Sequence, residues 1–300
     1  MYVTFTERRL FILNYRTDLA QEAHELSGRA KDGIIFDRDS YSGLCINSMR
    51  ITTDEAAARI GKSKGIYITI EDLPLSENFR ELKKQICAIS EQLYKLLPPE
   101  GVILVIGIGN SGITPDALGP ESAASVIATR HIGGEIAKSS GLDGLRPVAV
   151  LSPGVLGQTG IEVSEIILSL IDRIHPAAVI AADALASRSL SHLGRTIQIS
   201  DTGIAPGSGC GNNRIRLDSS TIGIPVISIG MPTVVDCRIL AADMLGKNCN
   251  SVELDEIDED LMVTPKEIDL LTERAAKLIG MSINCALQRN YSFEELAALI

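Results

Sequence analysis

The sequence predicts an α/β fold, with a doubly wound, mostly parallel sheet flanked by helices. Uninterrupted apolar runs recur in the middle of the chain, as at Val102–Ile106 and Ala178–Ala182. Such runs are typical of strands that are buried on both faces of a parallel sheet. Segments with helical periodicity separate them, for example Ile161–Ile174. Because strands and helices alternate, the pattern is that of successive βαβ units.

The individual elements follow from local patterns in chain order. The first 50 residues show little periodicity and predict a turn-rich N-terminal extension. A β-branched and aromatic run predicts a strand at Ile66–Ile70, and apolar residues three to four apart predict a helix from Ser76 to Leu97. Further strands are predicted at Val102–Ile106, Val148–Leu151, Ala178–Ala182, Thr196–Ile199 and Val226–Ile229, and further helices at Ala117–Arg130, Ile161–Ile174, Val234–Leu245 and Pro265–Gln288. Residues 250–261 are acidic and predict a solvated loop, and a capping box at Ser292–Glu295 starts a short C-terminal helix.

Composition and charge exclude several classes of protein. The 300 residues are 45% apolar and 22% charged, which is an ordinary globular mixture and not that of a disordered or collagenous chain. A net charge of −10 argues against nonspecific binding of nucleic acid. The longest apolar runs fall far short of the roughly 20 residues that cross a bilayer, and Leu10–Leu13 is too short for a secretory signal. We therefore expect a cytoplasmic protein without a nucleic-acid or membrane partner.

The cysteines and histidines show no metal-binding or disulfide pattern. The six cysteines contain no CxxC spacing, and the four histidines contain neither HxxxH nor HExxH. In a chain without a signal peptide, scattered cysteines indicate reduced thiols in a cytosolic compartment. The sequence thus predicts no metal and no other cofactor.

Two aspartates lie where strands of the predicted sheet end. Asp183 follows the apolar strand Ala178–Ala182, and Asp116 comes after the glycine-rich loop Gly107–Gly112. In open α/β sheets, catalytic groups gather beyond the carboxyl ends of the strands. Two acids that face each other there could share one proton and supply an acid and a base at once. The alternative is that Asp116 caps a helix N-terminus and that Asp183 caps the end of its strand.

Two glycine-rich segments, Gly107–Gly112 and Ser200–Asn212, are candidate ligand-binding loops. Neither phosphate-binding pattern, GxxxxGK(S/T) or GxGxxG, fits the first of them. Glycine lets the main chain approach an extended peptide closely, but a phosphate ligand, as in a phosphorylase-like nucleoside enzyme, is the alternative. Arg214 and Arg216 are the nearby basic residues for it. Composition alone leaves both ligands open.

Nine short motifs between Gly107 and Asp236 give the chain a specific resemblance, in a match that covers roughly residues 14–245 in order. They are Gly107-Ile-Gly-Asn110, Thr114-Pro-Asp-Ala-Leu-Gly-Pro120, Thr129-Arg-His131, Pro153-Gly-Val-Leu-Gly157, Thr159-Gly-Ile-Glu162, Asp183-Ala-Leu-Ala186, Ile197-Gln-Ile-Ser-Asp-Thr-Gly203, Pro206-Gly-Ser-Gly209 and Pro232-Thr-Val-Val-Asp236. Together they resemble the germination proteases of spore-forming bacteria, endopeptidases that degrade small acid-soluble spore proteins.

The resemblance implies a cytoplasmic peptidase of the spore core that is made as a zymogen and assembles as a homotetramer. It assigns an atypical aspartic mechanism to two residues, which match Asp116 and Asp183. The implied fold is similar to that of hydrogenase maturation proteases, which act on a metal-loaded substrate with a further histidine ligand. Because no histidine here lies in a motif of that kind, the resemblance implies no metal.

A hexapeptide near the N-terminus, Thr17-Asp18-Leu19-Ala20-Gln21-Glu22, imitates the family's substrate pattern Thr-Glu-apolar-Ala-Ser-Glu, in which cleavage follows an acidic residue. It departs from the pattern at Gln21, and a chance hexapeptide is the alternative. We expect self-cleavage between Asp18 and Leu19, with residues 1–18 as a propeptide and residues 19–300 as a single α/β peptidase domain.

A rival hypothesis from another class is a non-catalytic binding or scaffold protein that keeps the peptidase fold. The presence of both Asp116 and Asp183, together with the hexapeptide, favours the endopeptidase.

Overall fold

A mixed sheet, with nine strands among the described residues, forms the centre of the molecule. The computed structural model describes residues 17–41, 43–73, 75, 79–132, 139, 142, 144–207, 215–238, 240–241 and 261–299. Its strands are β1 Ile34–Tyr41, β2 Leu44–Ile51, β3 Gly65–Glu71, β4 Ile103–Gly107, β5 Val148–Leu151, β6 Ala178–Ser187, β7 Ile197–Ser200, β8 Val226–Asp236 and β9 Met262–Val263. They run in the order β1-β2-β3-β7-β8-β6-β4-β5, and β9 pairs with β8.

The sheet has a parallel half and an antiparallel half. Strands β5, β4, β6 and β8 pair in parallel, whereas β1, β2, β3 and β7 pair antiparallel to one another and β7 is antiparallel to β8. The predicted α/β fold is confirmed, but parallel pairing is limited to the half built from the βαβ pattern. The short connection between β1 and β2 permits only a hairpin, which is antiparallel.

Helices cover both faces of the parallel half. The helices of the described residues are α1 Ala20–Leu26, α2 Asp54–Ile60, α3 Phe79–Leu96, α4 Leu118–Ala124, α5 Leu156–Thr159, α6 Val163–Ile174, α7 Ser219–Ile222, α8 Ile268–Leu287 and α9 Phe293–Ala297, with a 3₁₀ turn at Thr114–Asp116. Successive residues of a strand face opposite sides. Accordingly Val105 of β4 is buried with residues of α3, α4 and α8, and Ile106 with residues of α6 and α7.

The N-terminal helix α1 is anchored to the antiparallel half. Ala20 and Ala23 of α1 form a buried cluster with Met49 of β2, Tyr67 of β3 and Ala56 of α2. Leu19, just before α1, is fully buried in a different cluster, the one that contains Ile106. Apolar burial on both sides therefore fixes where the chain enters α1.

The sequence missed α1, β1 and β2, which fall in the predicted turn-rich extension, and also α2, where it predicted no element. In β1 the first residue, Ile34, is buried and the following seven are exposed. A strand with that exposure has no need of alternating apolar residues, so the pattern on which strand prediction depends is missing.

Several predicted boundaries were also wrong. The predicted strand Ala178–Ala182 continues to Ser187, so Asp183 lies inside β6 and not after it. The predicted helix at Val234–Leu245 starts too early, because β8 runs to Asp236, and the predicted helix from Ala117 ends at Ala124. The capping box at the start of α9 is confirmed. Residues 239 and 242–245 of the predicted helix at Val234–Leu245 lie outside the described residues, and so do residues 250–260 of the acidic segment.

No helix in the described ranges combines the length and the apolar character that a membrane crossing needs.

Candidate active site

A cavity of about 370 Å³ lies beyond the carboxyl end of β4 and along the second half of β6. Its lining includes both predicted acids, Asp116 and Asp183, and also Asp18 from the N-terminal hexapeptide. Residues of β8 and Thr202–Gly207 of the second glycine-rich segment also line it. The fold thus brings the two strand-end acids and residues of the hexapeptide to one place.

The position of Asp116 is set by the first glycine-rich loop. Asp116 ends the 3₁₀ turn before α4, and the Asn110 N–H donates a hydrogen bond to its Oδ2 at 2.8 Å. Gly109 has φ +129°, and a Cβ atom there would lie 2.0 Å from the Asp116 carbonyl oxygen. The predicted alternative, that Asp116 caps the following helix, is wrong: the N-cap of α4 is Ala117, without a side-chain cap. The loop folds around the aspartate.

Gly119, in the first turn of α4, lets this helix approach the sheet. A Cβ atom on Gly119 would lie 2.1 Å from the Ile108 carbonyl oxygen and 2.4 Å from that of Ala182. The residue after β4, Ile108, is joined to β6 here by a hydrogen bond of 2.8 Å from its N–H to the Ala182 carbonyl. This close approach holds the loop that carries Asp116 beside the strand that carries Asp183.

Asp183 is a strand residue with a buried side chain. It is 5% exposed and lies opposite Gly230 of β8. Its Oδ1 accepts a hydrogen bond of 2.8 Å from the Ala184 N–H. A Cβ atom on Gly230 would lie 2.4 Å from the Asp183 carbonyl oxygen. Glycine at position 230 therefore allows β8 to approach the main chain of Asp183 closely.

The N-terminal hexapeptide lies along the end of β6. The Asp18 N–H donates to the Ala186 carbonyl at 2.9 Å, and the Ala186 N–H donates to Asp18 Oδ2 at 2.8 Å. Ala186 is three residues after Asp183 on the same strand. The residue that precedes the predicted cleavage point is thus fixed by both its main chain and its carboxylate.

Two side chains hold the carbonyl group of Asp18. Lys62 Nζ donates to it at 3.1 Å and to the Thr17 carbonyl at 2.8 Å. Gln198 Nε2 donates to the same Asp18 oxygen at 3.0 Å. Burial lowers the pKa of the Lys62 ammonium, and the negative charge of Asp18 opposes that effect.

A second acid of the hexapeptide, Glu22, is bound in a pocket made by residues 188–192. Its carboxylate accepts hydrogen bonds from the Arg188 N–H at 2.7 Å, the Ser189 N–H at 2.9 Å and the Thr17 hydroxyl, and it contacts His192 Nδ1 at 2.6 Å. Burial by itself raises the pKa of Glu22, but these hydrogen bonds together lower it. The hydrogen bond to Glu22 raises the pKa of His192. Both shifts favour the charged forms of Glu22 and His192.

All four residues that the sequence selected are close to this cavity. Asp116, Asp183 and Asp18 line it, and Leu19 is buried next to Asp18. Sequence reasoning gave no role to Lys62, Gln198 or His192. Gln198 belongs to one of the nine motifs, which was the available signal. Lys62 stands in an ordinary polar turn and His192 in a serine-rich one, and neither carries a pattern.

No group of three or more His, Cys, Asp or Glu side chains within the described part of the chain is arranged to hold a metal ion. The first glycine-rich loop supplies its Asn110 N–H to a carboxylate of the protein itself, so this donor is directed at Asp116 and not at a bound anion.

The sheet carries two carboxylates in one cleft, and an extended segment of the same chain is held there through its main chain. These features define an α/β protein with an acidic cleft. The sequence comparisons then give the family. The germination protease family matches residues 14–251, and the chain belongs to it. The family places the chain among the proteases of spore germination.

Full-length relatives agree with that assignment. A germination protease of Clostridium perfringens is 39% identical, with 94% of this chain and 98% of the relative covered. The germination protease of Caldanaerobacter subterraneus subsp. tengcongensis is 38% identical, with 97% and 99% covered, and that of Priestia megaterium is 34% identical, with 97% and 99% covered.

Among solved structures, a NiFe hydrogenase maturation protease from Thermococcus kodakarensis aligns with a TM-score of 0.36 and 20% identity, over 64% of this chain and 98% of that one.

Proposed function

We propose that this chain is the zymogen of an endopeptidase that starts the degradation of small acid-soluble spore proteins during germination. The protease family and its near full-length relatives support the reaction class. The peptide-binding cleft supports a peptide substrate over the phosphate ligand that the glycine-rich loops left open.

The proposed mechanism uses Asp116 and Asp183 as an acid–base pair. One carboxylate takes a proton from a water molecule, which attacks the carbonyl carbon of the peptide bond, and the other acid donates a proton to the departing nitrogen. Both side chains line one cavity. Their different supports, a main-chain N–H of the loop for Asp116 and one of its own strand for Asp183, hold two acids in fixed positions.

The observation that carries the proposal is the place of the hexapeptide. Asp18 lines the cavity of the two acids and pairs with Ala186. This position supports cleavage between Asp18 and Leu19, which would release residues 1–18 as a propeptide. While Asp18 occupies the cleft, a substrate cannot bind there, which supports latency of the uncut chain.

The contacts of the hexapeptide also support specificity for acidic residues. The carboxylate of Asp18 is bound by the Ala186 N–H, and Arg216 lines the same cavity. Four residues further on, the pocket at residues 188–192 binds a second carboxylate, that of Glu22. A spore protein with an acid at the cleaved position would meet the donors that bind Asp18, with cleavage after that acid.

The test is the intact mass of the purified full-length chain before and after incubation under mildly acidic conditions, with N-terminal sequencing of the product. We expect loss of residues 1–18 and a new N-terminus at Leu19. The Asp183→Asn chain should stay intact. The processed chain should cleave a spore-protein substrate faster than the uncut chain does.

A chain that remains intact and that binds but never cleaves spore proteins would instead support the non-catalytic binding protein. Maturation at another bond would contradict self-recognition of the hexapeptide and leave the peptidase assignment in place.

We also infer a homotetramer in the cytoplasm of the spore core. This inference rests on the family.

A further inference from the structure

We propose that Lys62 and Gln198 are catalytic residues that bind the carbonyl oxygen of the bond to be cut and stabilise the negative charge that develops on it. This inference rests on the proposed function, because it identifies the bond between Asp18 and Leu19 as the one that is hydrolysed. It assigns to these two side chains a role that the acid pair does not cover.

The first observation is that two donors converge on one carbonyl oxygen. Lys62 Nζ lies 3.1 Å and Gln198 Nε2 lies 3.0 Å from the oxygen of Asp18. Distances of this size are those of donors that stabilise an oxyanion. One donor comes from the turn after α2 and the other from β7, so both are fixed by the fold and not by the bound segment.

The second observation is that Gln198 is oriented for donation. Its side chain is 7% exposed, and its Oε1 accepts a hydrogen bond of 2.7 Å from the Ala20 N–H. Because the amide oxygen faces Ala20, the amide nitrogen faces Asp18. The Gln198 side chain thus forms hydrogen bonds with the main chain on both sides of the bond between Asp18 and Leu19.

The third observation concerns Lys62, whose main chain is fixed where α2 ends. Gly61 terminates α2 in the left-handed conformation with φ 71°, and the Lys62 N–H donates to the Ala57 carbonyl at 3.2 Å. From this anchor the ammonium reaches the carbonyls of Thr17 and Asp18. Within a partly dry cleft, a positive charge stabilises an oxyanion far better than it would in water.

The fourth observation is that these donors and the two acids share the cavity. Lys62, Gln198, Asp116 and Asp183 all belong to its lining. One cleft therefore contains both kinds of group that hydrolysis of a peptide bond needs. These are acids that transfer protons and donors that bind the carbonyl oxygen.

The step balances as a hydrolysis. The oxygen of a water molecule bonds to the Asp18 carbonyl carbon while an acid of the pair takes its proton. The electron pair of the C=O bond moves to the oxygen held by Lys62 and Gln198. When the C–N bond breaks, these electrons return to re-form the C=O bond, and the main-chain carboxyl group of Asp18 is released. The nitrogen of Leu19 receives its proton from one of the two acids, Asp116 or Asp183. No oxidant, reductant or second substrate is needed.

The experiment measures the first-order rate of self-cleavage of the full-length chain by intact mass. Lys62→Met removes the charged donor. Gln198→Glu keeps an oxygen for the Ala20 N–H but replaces the donor that faces Asp18. Loss of one oxyanion donor costs roughly 10²–10³-fold in rate, and we expect a loss in that range for each variant at neutral pH.

The Gln198→Glu chain carries a further signature. A protonated glutamic acid can donate, so its rate relative to the wild-type rate should rise as the pH is lowered. A purely structural role for Gln198 predicts a constant ratio. The matched control for Lys62 is Lys64→Met, two residues along, which removes an exposed ion pair with Asp54 and should change the rate by no more than about twofold.

A companion measurement separates catalysis from docking. In the Asp183→Asn background, which stays uncut, hydrogen exchange at the Ala186 N–H reports whether Asp18 is still bound. We expect unchanged protection in Lys62→Met and Gln198→Glu.

Rates within about threefold of wild type in both variants, or rate losses explained by faster exchange at Ala186, would overturn the proposal. A wild-type chain that does not cut between Asp18 and Leu19 would refute self-processing itself, and this inference with it. Normal wild-type cleavage with unaffected variants would refute only the role of Lys62 and Gln198.

Discussion

At the scale of single residues, the cleft depends on a glycine, Gly119, that packs so closely against the main chain that a side chain would not fit. Gly119 lies against two carbonyl oxygens, one after β4 and one in β6. A side chain there would push α4 away from the sheet and with it the loop that positions Asp116. The glycine in Gly119-Pro120 is thus explained by close main-chain approach.

We expect Gly119→Ala to lower the free energy of unfolding by about 1–3 kcal/mol, the usual cost of overpacking. The control is Gly157→Ala in α5, where a Cβ atom would meet nothing within 4 Å. That change should be neutral or slightly stabilising, since alanine has the higher helix propensity. Urea unfolding of both variants measures the difference; equal stabilities would contradict the role given to Gly119.

Asp116 and Asp183 make the second prediction at this scale. Asn preserves the shape of Asp but cannot exchange a proton, so Asp116→Asn and Asp183→Asn should each abolish cleavage of a spore-protein substrate while the thermal unfolding transition persists. Asp172→Asn, on an exposed position of α6, is the control and should retain activity. Full activity in both single variants would rule out the acid pair.

At the scale of elements, the entry into α1 decides whether the hexapeptide stays in the cleft. Leu19 is fully buried in the cluster that contains Ile106, so its side chain anchors the bond that follows Asp18. Leu19→Lys would place an ammonium among apolar side chains, and we expect it to slow self-cleavage and to lower the free energy of unfolding by about 2–5 kcal/mol, as large losses of core packing do.

Leu19→Met conserves volume and serves as the control for that change, with an expected cost below about 1.5 kcal/mol. Self-cleavage rates and urea unfolding of the two variants are compared. A Leu19→Lys chain that matures at the wild-type rate would show that the anchoring of this residue is not needed.

The pairing of Glu22 with His192 gives α1 a pH dependence. Because the folded pKa of Glu22 is lowered, its contribution is present above the ordinary pKa of 4.5 and is lost as the pH falls through the folded value. Because the folded pKa of His192 is raised, its contribution is full below the ordinary pKa of 6.5 and is lost as the pH rises through the folded value. Stability from this pair is therefore greatest between about pH 4.5 and pH 6.5.

His192→Gln should remove the loss of stability on the alkaline side, which we expect to be about 2 kcal/mol for a buried charged hydrogen bond. The melting temperature is followed from about pH 4 to about pH 9 in the uncut Asp183→Asn background. His131→Gln, at an exposed position, is the control. Identical pH profiles of the melting temperature, with and without His192→Gln, would contradict the pairing of Glu22 with His192.

At the scale of the whole molecule, β1 stands at one end of the strand order and presents apolar side chains to solvent. Ile35 is 59% exposed, Phe36 46% and Tyr41 38%. An edge strand with exposed apolar side chains is a ready surface for pairing with another chain, which makes β1 a candidate contact in the proposed homotetramer.

We expect Ile35→Lys to reduce the native mass from that of a tetramer to a smaller species, because lysine on an edge strand opposes strand pairing. Size-exclusion chromatography with light scattering measures the mass. The control is Leu168→Lys, at a residue of α6 that is 43% exposed. A tetramer that persists in Ile35→Lys would exclude the β1 edge, and a monomeric wild-type chain would refute the tetramer.

The sequence by itself determined the parallel half of the sheet and the places of two acids. Apolar runs such as Val102–Ile106 mark buried strands because their burial on both faces requires an apolar residue at every position. Asp183 stands out because a carboxylate interrupts such a run, and Asp116 because a glycine-rich loop precedes it. These are local signals, carried by residue types over a few positions.

Only the tertiary structure decided the pairing of the antiparallel half, the existence of β1 and β2, and the surroundings of the hexapeptide. Strand β1 is almost entirely exposed and has no apolar alternation to detect. The donors on Asp18 come from Lys62 and Gln198, which are 44 and 180 residues away along the chain. Hydrogen bonds between polar side chains so far apart leave no periodic pattern in the sequence, because their geometry exists only once α2, β7 and the end of β6 have packed together.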